Sequence, residues 1–237
     1  MKEIETSVTD IITRTPDIRS IRFSADSDME FDAGQFFLLT INSRGTEMSK
    51  YFSFSNSPTE NGYVEFTKRM TGSDFSKALK ELKIGDPAKI KMPLGSFKLK
   101  EEYKKVAFIS GGIGITPVRS ICKFATDKKL PTDIVVLYGN KTEEDIVFRQ
   151  DFDDMKKNNP NLRVVYTLTQ ESIDKGGWGG RRGYIDKGFI IEEIPDYEKR
   201  VFYICGPPAM VAHLVAVLKD ELRVGDEKIR LENFTGY

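Results

Sequence analysis

The sequence predicts two domains, an N-terminal antiparallel β-barrel followed by an α/β domain built on a parallel sheet. In roughly the first hundred of the 237 residues, short β-branched or aromatic segments are separated by turn signals such as Asn61-Gly62, a pattern typical of a small barrel. After Gly95, strand-like and helical segments alternate, which indicates a parallel sheet covered by helices. The boundary falls within Met92–Tyr103 and gives predicted domains of residues 1–100 and 101–237.

The N-terminal part of the chain contains five predicted strands and one predicted helix. The strands are expected at Glu5–Arg14, Ile18–Phe23, Gln35–Ile41, Tyr51–Phe54 and Tyr63–Lys68. The helix is predicted from about Ser73 to Leu82, because its apolar residues recur at a spacing that places them on one face. We expect this helix to cover the open end of the barrel.

The C-terminal part alternates predicted strands with helical patterns. The strands are expected at Val106–Ser110, Ile134–Tyr138, Val164–Leu168 and Val201–Cys205, and the helices near Val118, over Phe148–Met155 and over Met210–Leu222. Open sheets of this kind bind ligands at the carboxyl ends of their strands. The functional site is therefore expected in the crevice between the two domains.

The stretch Lys105–Pro117 carries the most informative local motif, an apolar strand that ends in a glycine-dense turn and leads into a helix. The glycines let the backbone approach a bulky anionic ligand, and the N–H groups at the start of the helix can bind phosphate oxygens. Pro117 is a residue favoured at the first position of a helix. A dinucleotide pyrophosphate is the expected ligand, and purely steric packing of the turn is the alternative.

Composition excludes several classes of function. Lysine plus arginine and aspartate plus glutamate number 36 each, which argues against a nucleic-acid-binding protein. The two cysteines, Cys122 and Cys205, are too few for an iron–sulfur cluster held by this chain alone, and the single His213 argues against a multi-histidine metal site. Electron or group transfer would therefore need an organic cofactor. The polar N-terminus and the lack of a long apolar run predict a cytoplasmic protein with no membrane span.

Four other stretches offer candidate binding groups. Lys50–Ser53 places a cation, an aromatic ring and a hydroxyl on one strand, where they suit a phosphate and a flat heterocycle or simply belong to a barrel strand. Thr67–Asp74 opens the predicted helix and suits a pyrophosphate, or its Ser73 only caps that helix. Cys205–Met210 follows a strand, where its thiol lines a crevice or the turn only reverses the chain. Leu231–Tyr237 offers a carboxylate and two aromatic rings, or it forms a loosely packed tail.

Together and in this order, these motifs resemble the ferredoxin–NADP reductase superfamily, whose members combine an FAD-binding barrel with a nicotinamide-binding domain. In that family a strand motif Arg-x-Tyr-Ser binds the flavin. By position, Lys50 corresponds to the arginine at the FAD pyrophosphate, Phe52 to the tyrosine against the isoalloxazine ring, and Ser53 to the hydroxyl near flavin N5. Lysine keeps the charge but lacks the bidentate fork, and phenylalanine keeps the ring face without the hydroxyl.

The resemblance also implies roles for residues elsewhere in the chain. Cys205 lies beside the nicotinamide C4 or is a buried core residue, Glu232 is the terminal acid, and either Phe234 or Tyr237 covers the flavin. Ser53, Cys205 and Glu232 are thereby the expected catalytic residues. The residues expected to bind FAD or the nicotinamide nucleotide are Lys50, Tyr51, Phe52, Ser53, Thr67, Lys68, Gly72, Ser73, Gly111, Gly112, Gly114, Thr116, Pro117, Arg181, Arg182, Gly206, Pro207, Phe234 and Tyr237.

The function implied by the resemblance is hydride transfer between NAD(P)H and FAD, with electrons passed to a separate acceptor such as ferredoxin. The alternative is a non-catalytic or electron-transfer subunit of a larger redox complex. Thr169-Gln170 stands where NADP-specific relatives often carry an arginine, which favours NADH. Arg181 and Arg182 either bind a 2′-phosphate in its place or belong to a solvated loop.

Overall fold

The computed structural model of the chain describes residues 1–25, 29–100, 102–170 and 177–233, and it contains two six-stranded sheets. The first sheet is antiparallel and curls into a half-barrel. Its strands are β1 (Lys2–Thr15), β2 (Ile18–Ser24), β3 (Phe36–Ser43), β4 (Thr46–Ser53), β5 (Tyr63–Arg69) and β6 (Pro87–Leu94). The strand order is β4-β3-β6-β1-β2-β5, so β4 and β5 are the two outermost strands.

Alternating apolar residues build the core of the half-barrel. In β3, Phe37, Leu39 and Ile41 are buried, whereas the residues between them are partly exposed. Helix α1 (Asp74–Glu81) adds its buried Phe75 and Leu79 to the same core, because a spacing of four residues places both on one face. The helix therefore covers the half-barrel, as the sequence predicts.

The second sheet is parallel and has the strand order β10-β9-β8-β7-β11-β12. Its strands are β7 (Lys105–Gly111), β8 (Asp133–Asn140), β9 (Leu162–Leu168), β10 (Arg181–Arg182), β11 (Val201–Gly206) and β12 (Ile229–Asn233). The helices are α2 (Thr116–Asp127), α3 (Arg149–Asn158), α4 (Lys187–Glu193) and α5 (Pro208–Ala216).

Helices cover both faces of the parallel sheet. In β7, Val106 and Phe108 belong to the core cluster that contains α2 and α3, while Ala107 and Ile109 belong to the cluster that contains α4 and α5. Because successive side chains of a strand point to opposite faces, the two clusters lie on the two sides of the sheet. This double burial explains the uninterrupted apolar run in β7.

The order of the parallel strands reverses between β7 and β11. The chain places β8 and β9 on one side of β7 and later returns to place β11 and β12 on the other side. Ligands of open α/β sheets bind outside the carboxyl ends of the strands at such a reversal. Here those ends carry Gly111 and Gly206, which terminate β7 and β11.

The half-barrel packs directly against the α/β domain. Ile18 and Phe97 share one core cluster with Ile121 of α2. Gly34 lies in this contact with φ +95°. A Cβ atom there would stand 2.8 Å from Cδ1 of Ile121 on α2 and 2.1 Å from the carbonyl oxygen of Phe97. The close approach of the two domains at this point therefore requires glycine.

Several elements differ from the sequence-based expectations. β6, α4 and β12 are present although no strand or helix is predicted there. β12 shows that the alternative of a loosely packed tail over Leu231–Tyr237 is wrong for residues 231–233. The predicted helix over Met210–Leu222 begins earlier, at Pro208, and ends in a π-helical turn over Val217–Glu221. Among the helices of the described residues, none has the length and apolar composition of a membrane-spanning segment.

Candidate active site

Two lysines bring positive charge to the outermost strands of the half-barrel. Lys50 lies on β4 and is exposed, and Lys68 lies half-buried on β5. Burial and the nearby charge of Lys50 both lower the pKa of Lys68. Lys68 donates a hydrogen bond to the carbonyl oxygen of Arg69 at 3.1 Å, but neither lysine forms an ion pair with a carboxylate of the described residues. Two adjacent ammonium groups without a carboxylate partner suit a dianionic ligand such as a pyrophosphate.

The start of α1 lies next along the chain from these lysines. The Ser73 hydroxyl accepts a hydrogen bond from the Ser76 backbone N–H at 3.3 Å, so Ser73 caps the helix as one of its two predicted roles requires. The hydroxyls of Thr71, Ser73 and Ser76 lie within 3.1 Å of one another. A Cβ atom at Gly72 would meet no atom within 4 Å, which leaves open space in front of this polar cluster. The arrangement fits the phosphate contact expected here.

The aromatic residues of β4 are divided between two faces. Phe52 stacks on Phe66 with ring centroids 4.2 Å apart and also contacts Phe75, so its ring faces the core of the half-barrel. Tyr51 points to the opposite face, is 65% exposed and touches the edge of Phe36. Tyr51, rather than the Phe52 of the expected motif, is therefore the ring of this strand that stands open to a ligand.

Thr67 is engaged inside the half-barrel. Its hydroxyl forms hydrogen bonds with the hydroxyls of Ser20 at 2.7 Å and Ser55 at 2.9 Å, and its side chain is buried. Ser55 in turn donates to the carboxylate of Glu65, which also binds Arg22. The Thr67 side chain is thus committed to an internal polar network, and only its backbone remains for the predicted cofactor contact.

The three expected catalytic residues come together where the two domains meet. Ser53, at the end of β4, donates its hydroxyl to Glu232 Oε1 on β12 at 2.9 Å. Glu232 is paired in register with Cys205 on the neighbouring strand β11. Residues 179 positions apart in the sequence are therefore joined by one hydrogen bond across the domain boundary.

Burial controls the charge of this group. It raises the pKa of Glu232 to about 7, and the hydrogen bond from Ser53 only partly offsets that effect. Cys205 is fully buried, and burial also raises the pKa of its thiol far above neutrality. The cysteine is accordingly a neutral thiol within the sheet, and it matches the expectation of a buried residue better than that of an exposed crevice wall.

A cavity of about 750 Å³ opens at the carboxyl edge of the parallel sheet. It spans the ends of four strands and the start of α5, and it is large enough for much of a dinucleotide. The lining includes the predicted residues Gly111, Gly112 and Pro207. The full lining is Arg69, Gly111, Gly112, Ile113, Gly139, Asn140, Lys141, Asp145, Thr167, Thr169, Tyr184, Ile185, Pro207, Ala209, Met210, His213 and Leu214.

The glycines of the turn after β7 have different tasks. Gly112 has φ +52° and open space around the position of a Cβ atom, and its carbonyl oxygen accepts a hydrogen bond from Tyr138 Oη at 2.9 Å. A Cβ atom at Gly114 would lie 2.6 Å from Gly206 Cα, so this glycine serves close packing against β11. Thr116 and Pro117 are buried at the start of α2 and do not line the cavity.

Asn140, at the end of β8, is a cavity residue that the sequence motifs do not identify. Its side chain is 4% exposed, yet neither its amide nitrogen nor its carbonyl oxygen has a hydrogen-bond partner within the described residues. Buried carboxamides of this kind normally have partners, so an unpaired one in a cavity wall points to a polar ligand group. The signal in the sequence is its position just beyond the predicted strand Ile134–Tyr138.

Tyr184 is a second cavity residue without a sequence motif. It stands on the rim of the cavity and is 77% exposed, so its ring is available to stack on a base. His213, also on the cavity wall, is exposed on α5.

The predicted arginines do not converge on this cavity. Arg181 binds both carboxylate oxygens of Glu192 at 2.5 and 2.6 Å, and its guanidinium lies over the ring of Phe189 on α4. Arg182 is exposed on β10 beside it. Phe234 and Tyr237, the residues expected to cover the flavin, lie outside the described residues.

Known protein families match the chain in the order of its two sheets. The oxidoreductase FAD-binding domain family matches residues 5–99, and the oxidoreductase NAD-binding domain family matches residues 108–215. The first matched range contains all six strands of the half-barrel except the start of β1. The second begins within β7 and contains the turn and the cavity walls that follow it.

Full-length relatives extend the similarity across both domains. The reductase subunit of glycine betaine monooxygenase from Chromohalobacter salexigens is 29% identical over 214 residues, which cover 88% of this chain and 58% of that protein. One of the subunits of the Na⁺-translocating NADH-quinone reductase from Pseudoalteromonas atlantica is 30% identical over 230 residues, which cover 90% of this chain and 56% of that protein. The chain thus spans little more than half the length of these curated relatives.

A solved structure shows the same fold over nearly its whole length. The cytochrome b5 reductase domain of nitrate reductase from Ulva prolifera superposes with a TM-score of 0.84 at 22% identity, covering 98% of this chain and 97% of that domain. The fold and the two domain matches agree with the paired lysines at the edge of the half-barrel and with the cavity at the strand reversal. We conclude that the chain belongs to the ferredoxin–NADP reductase superfamily and is an FAD- and NAD-binding oxidoreductase.

Proposed function

We propose that the protein takes a hydride from NADH bound at its parallel sheet and passes the electrons, by way of FAD on its half-barrel, to a separate redox protein such as ferredoxin. The observation that carries the proposal is the hydrogen bond from Ser53 to Glu232, because it joins the expected flavin strand to the carboxyl edge of the nucleotide-binding sheet. Hydride transfer needs the two reactants in contact at such a junction.

The half-barrel offers the groups that would hold FAD. Lys50 and Lys68 supply positive charge for the pyrophosphate, and the hydroxyls at the start of α1 with its free N–H groups supply hydrogen bonds. Tyr51 offers an exposed ring for the flavin. When bound, FAD supplies hydride acceptance at N5 and release of the electrons to a second acceptor.

Ser53 and Glu232 would then control a proton at the reacting edge. Since the pKa of Glu232 is about 7, its carboxyl group exchanges a proton readily at neutral pH. Ser53 is the hydroxyl hydrogen-bonded to that carboxyl group, so it can relay the proton or orient it. Cys205 is a neutral thiol, so beside Glu232 it acts through packing and adds no charge to the site.

The cavity at the parallel sheet would bind the nicotinamide nucleotide. Asn140, at the end of β8, offers both a hydrogen-bond donor and an acceptor in the cavity wall. Tyr184 offers an aromatic ring at the outer rim of the cavity. Arg181, one of two candidates for a 2′-phosphate, is held by Glu192. Because Arg181 already forms an ion pair with Glu192, it is not directed at a 2′-phosphate, which favours NADH over NADPH. Thr169-Gln170 in the sequence and the NADH named for the quinone reductase relative favour the same nucleotide.

A separate acceptor protein is favoured by the relatives. Both are described as subunits, one of a monooxygenase and one of a quinone reductase. The present chain contains two buried cysteines and thus lacks the thiolates for an iron–sulfur cluster of its own. The proposed electron acceptor is therefore a redox centre that these 237 residues do not themselves hold.

Anaerobic absorption spectroscopy of the purified protein tests the proposal. A flavin band should be present, and stopped-flow mixing should show that NADH bleaches it faster than NADPH does. A flavin that neither nucleotide reduces would indicate a subunit supplied with electrons by its partner. A protein without affinity for FAD would refute the proposed function. Steady-state turnover with added ferredoxin then tests the acceptor.

A further inference from the structure

Arg119 on α2 is a buried cation that binds groups of both domains. It is 6% exposed, and all five of its N–H donors have acceptors. Nε and one Nη donate to Asp151 at 3.0 and 2.6 Å, and both Nη atoms donate to Glu60. The remaining donor binds the carbonyl oxygen of Ser55 at 3.1 Å. No donor is left for a cofactor or a substrate, so Arg119 can act only by holding other groups.

The groups that Arg119 holds belong to both domains. Glu60 and Ser55 come from the half-barrel, and Asp151 comes from α3 of the α/β domain. The next residue of α2, Ser120, reinforces the contact by donating to the carbonyl oxygen of Asn56 at 2.6 Å. Helix α2 therefore grips two successive backbone carbonyls of the segment that follows β4.

This gripped segment is attached directly to the flavin-facing end of the half-barrel. Ser55 is two residues beyond Ser53, whose hydroxyl meets Glu232. At its other end, α2 begins at Thr116, immediately after the glycine turn that lines the nucleotide cavity. Arg119 is three residues into the helix, which corresponds to about 4.5 Å along the axis. One rigid element thus connects the nucleotide turn to the end of the flavin strand over a very short path.

The far side of the guanidinium is fixed by an aromatic ring. The ring of Phe148 contacts the guanidiniums of both Arg119 and Arg14, which lie 5.7 and 5.0 Å from its centroid. Its backbone has φ +62°, a conformation that a bulky residue adopts only when its surroundings impose it. Since Arg14 belongs to β1, this stack adds another contact between the half-barrel and the α/β domain.

We infer that Arg119 is a positioning residue that sets the separation between the nicotinamide nucleotide and the flavin. The inference rests on the proposed function, because it assigns a geometric role within the same site. Hydride transfer requires reacting atoms about 3 to 3.5 Å apart, and a misplacement of about 1 Å can cost about 100-fold in rate. Loss of the Ser55 contact should therefore slow flavin reduction without removing either binding site.

The test compares Arg119→Met and Arg119→Lys with the wild type, each with FAD bound. The control is Lys123→Met, one turn further along α2. Its salt bridge is with Asp127 of the same helix, and the variant removes a positive charge near Glu60 without removing a hydrogen bond to the segment after β4. Five quantities are measured: FAD content, the midpoint of thermal unfolding, the Kd of NAD⁺ by calorimetry, the long-wavelength absorbance of the reduced protein with NAD⁺, and the rate of flavin reduction at saturating NADH. The absorbance reports stacking of nicotinamide on flavin and does not depend on turnover.

We expect Arg119→Met to retain FAD and to bind NAD⁺ within about 3-fold of the wild type, yet to lose the long-wavelength absorbance and to reduce its flavin up to about 100-fold more slowly. Arg119→Lys, which keeps a cation between Glu60 and Asp151, should fall between Arg119→Met and the wild type. Unchanged absorbance and reduction rate in Arg119→Met would overturn the inference. Parallel losses of FAD content, NAD⁺ affinity and thermal stability would also overturn it, since they indicate a purely structural residue.

Ser120→Ala provides a milder variant if Arg119→Met fails to fold. It removes one hydrogen bond to the same segment and should reproduce the loss of absorbance in part. A normal absorbance in Ser120→Ala would then count against the inference. A wild-type protein whose flavin NADH does not reduce would refute the proposed function itself, and this outcome is visible before any variant is compared.

Discussion

The partly buried carboxyl group of Glu232 should make the stability of the protein depend on pH, and one substitution should remove that dependence. Burial raises its pKa from 4.5 to about 7. Glu232→Gln eliminates the titration while its amide oxygen can still accept the hydrogen bond from Ser53. The substitution therefore isolates the charge from the contact.

The size of the effect follows from the pKa change. One unit corresponds to about 1.4 kcal/mol, so a rise from 4.5 to about 7 amounts to about 3 kcal/mol. Because the folded state holds the proton more tightly, the unfolded state releases it first as the pH rises. The free energy of unfolding contributed by Glu232 should then fall between about pH 4.5 and pH 7 and stay constant above that range. Glu232→Gln should accordingly be the more stable protein at pH 8, by up to about 3 kcal/mol, and similar to the wild type near pH 4.5.

Urea denaturation at fixed, saturating FAD between pH 4.5 and pH 8.5 measures this difference. The control is Glu47→Gln, which removes an exposed carboxylate from β4 of the same sheet and should show no comparable trend. A constant difference between Glu232→Gln and the wild type over the whole pH range would refute the reasoning. The same variant should also lose the inflection near pH 7 in the rate of flavin reduction if the carboxyl group exchanges the proton in the reaction.

Four further variants test the rest of the site. Ser53→Ala should slow flavin reduction in single-turnover stopped flow and leave FAD bound; an unchanged rate would remove Ser53 from the reaction. Gly112→Val should weaken NADH binding in calorimetry far more than FAD binding, because Gly112 lines the nucleotide cavity at φ +52°, and equal losses would show that the turn is misassigned. Gly114→Ala should lower the free energy of unfolding by about 1 to 3 kcal/mol, since its Cβ atom would overlap β11; a change below about 0.5 kcal/mol would contradict that packing. The double change Lys50→Gln with Lys68→Gln should raise the Kd of FAD and flatten its dependence on salt, whereas an equally steep dependence would place the pyrophosphate elsewhere.

Local periodicity predicts much of this fold. The glycine turn after β7, the apolar run within that strand and the one-sided helix α1 all depend on residues close in sequence, and the structure places them as expected. β12 is different, because its five residues carry too little apolar character to stand out. It forms a strand because β11 offers a free edge beside it, and that edge exists only in the folded sheet.

The candidate site shows the same limit. A motif match places Phe52 against the flavin, but the two-residue period of β4 puts it on the core side with Phe37, opposite Tyr51 and Ser53. Arg181 is drawn away by Glu192, eleven residues further along the chain. Asn140 is notable because its amide group has no partner among the described residues, and Arg119 because it binds Ser55 in the other domain. Neither property can be predicted from residues that are close in the sequence.

The distance along the chain between Ser53 and Glu232 has a consequence for folding. The two residues are 179 positions apart, and the chain between them forms a loop that must close before the hydrogen bond can exist. Closing long loops is entropically costly and slow. The half-barrel, with β1 to β6 contiguous in the sequence, can form before this closure. During refolding, FAD binding should therefore recover earlier than reducibility by NADH, so a flavin that is bound but not yet reducible would mark a chain whose two halves have not docked.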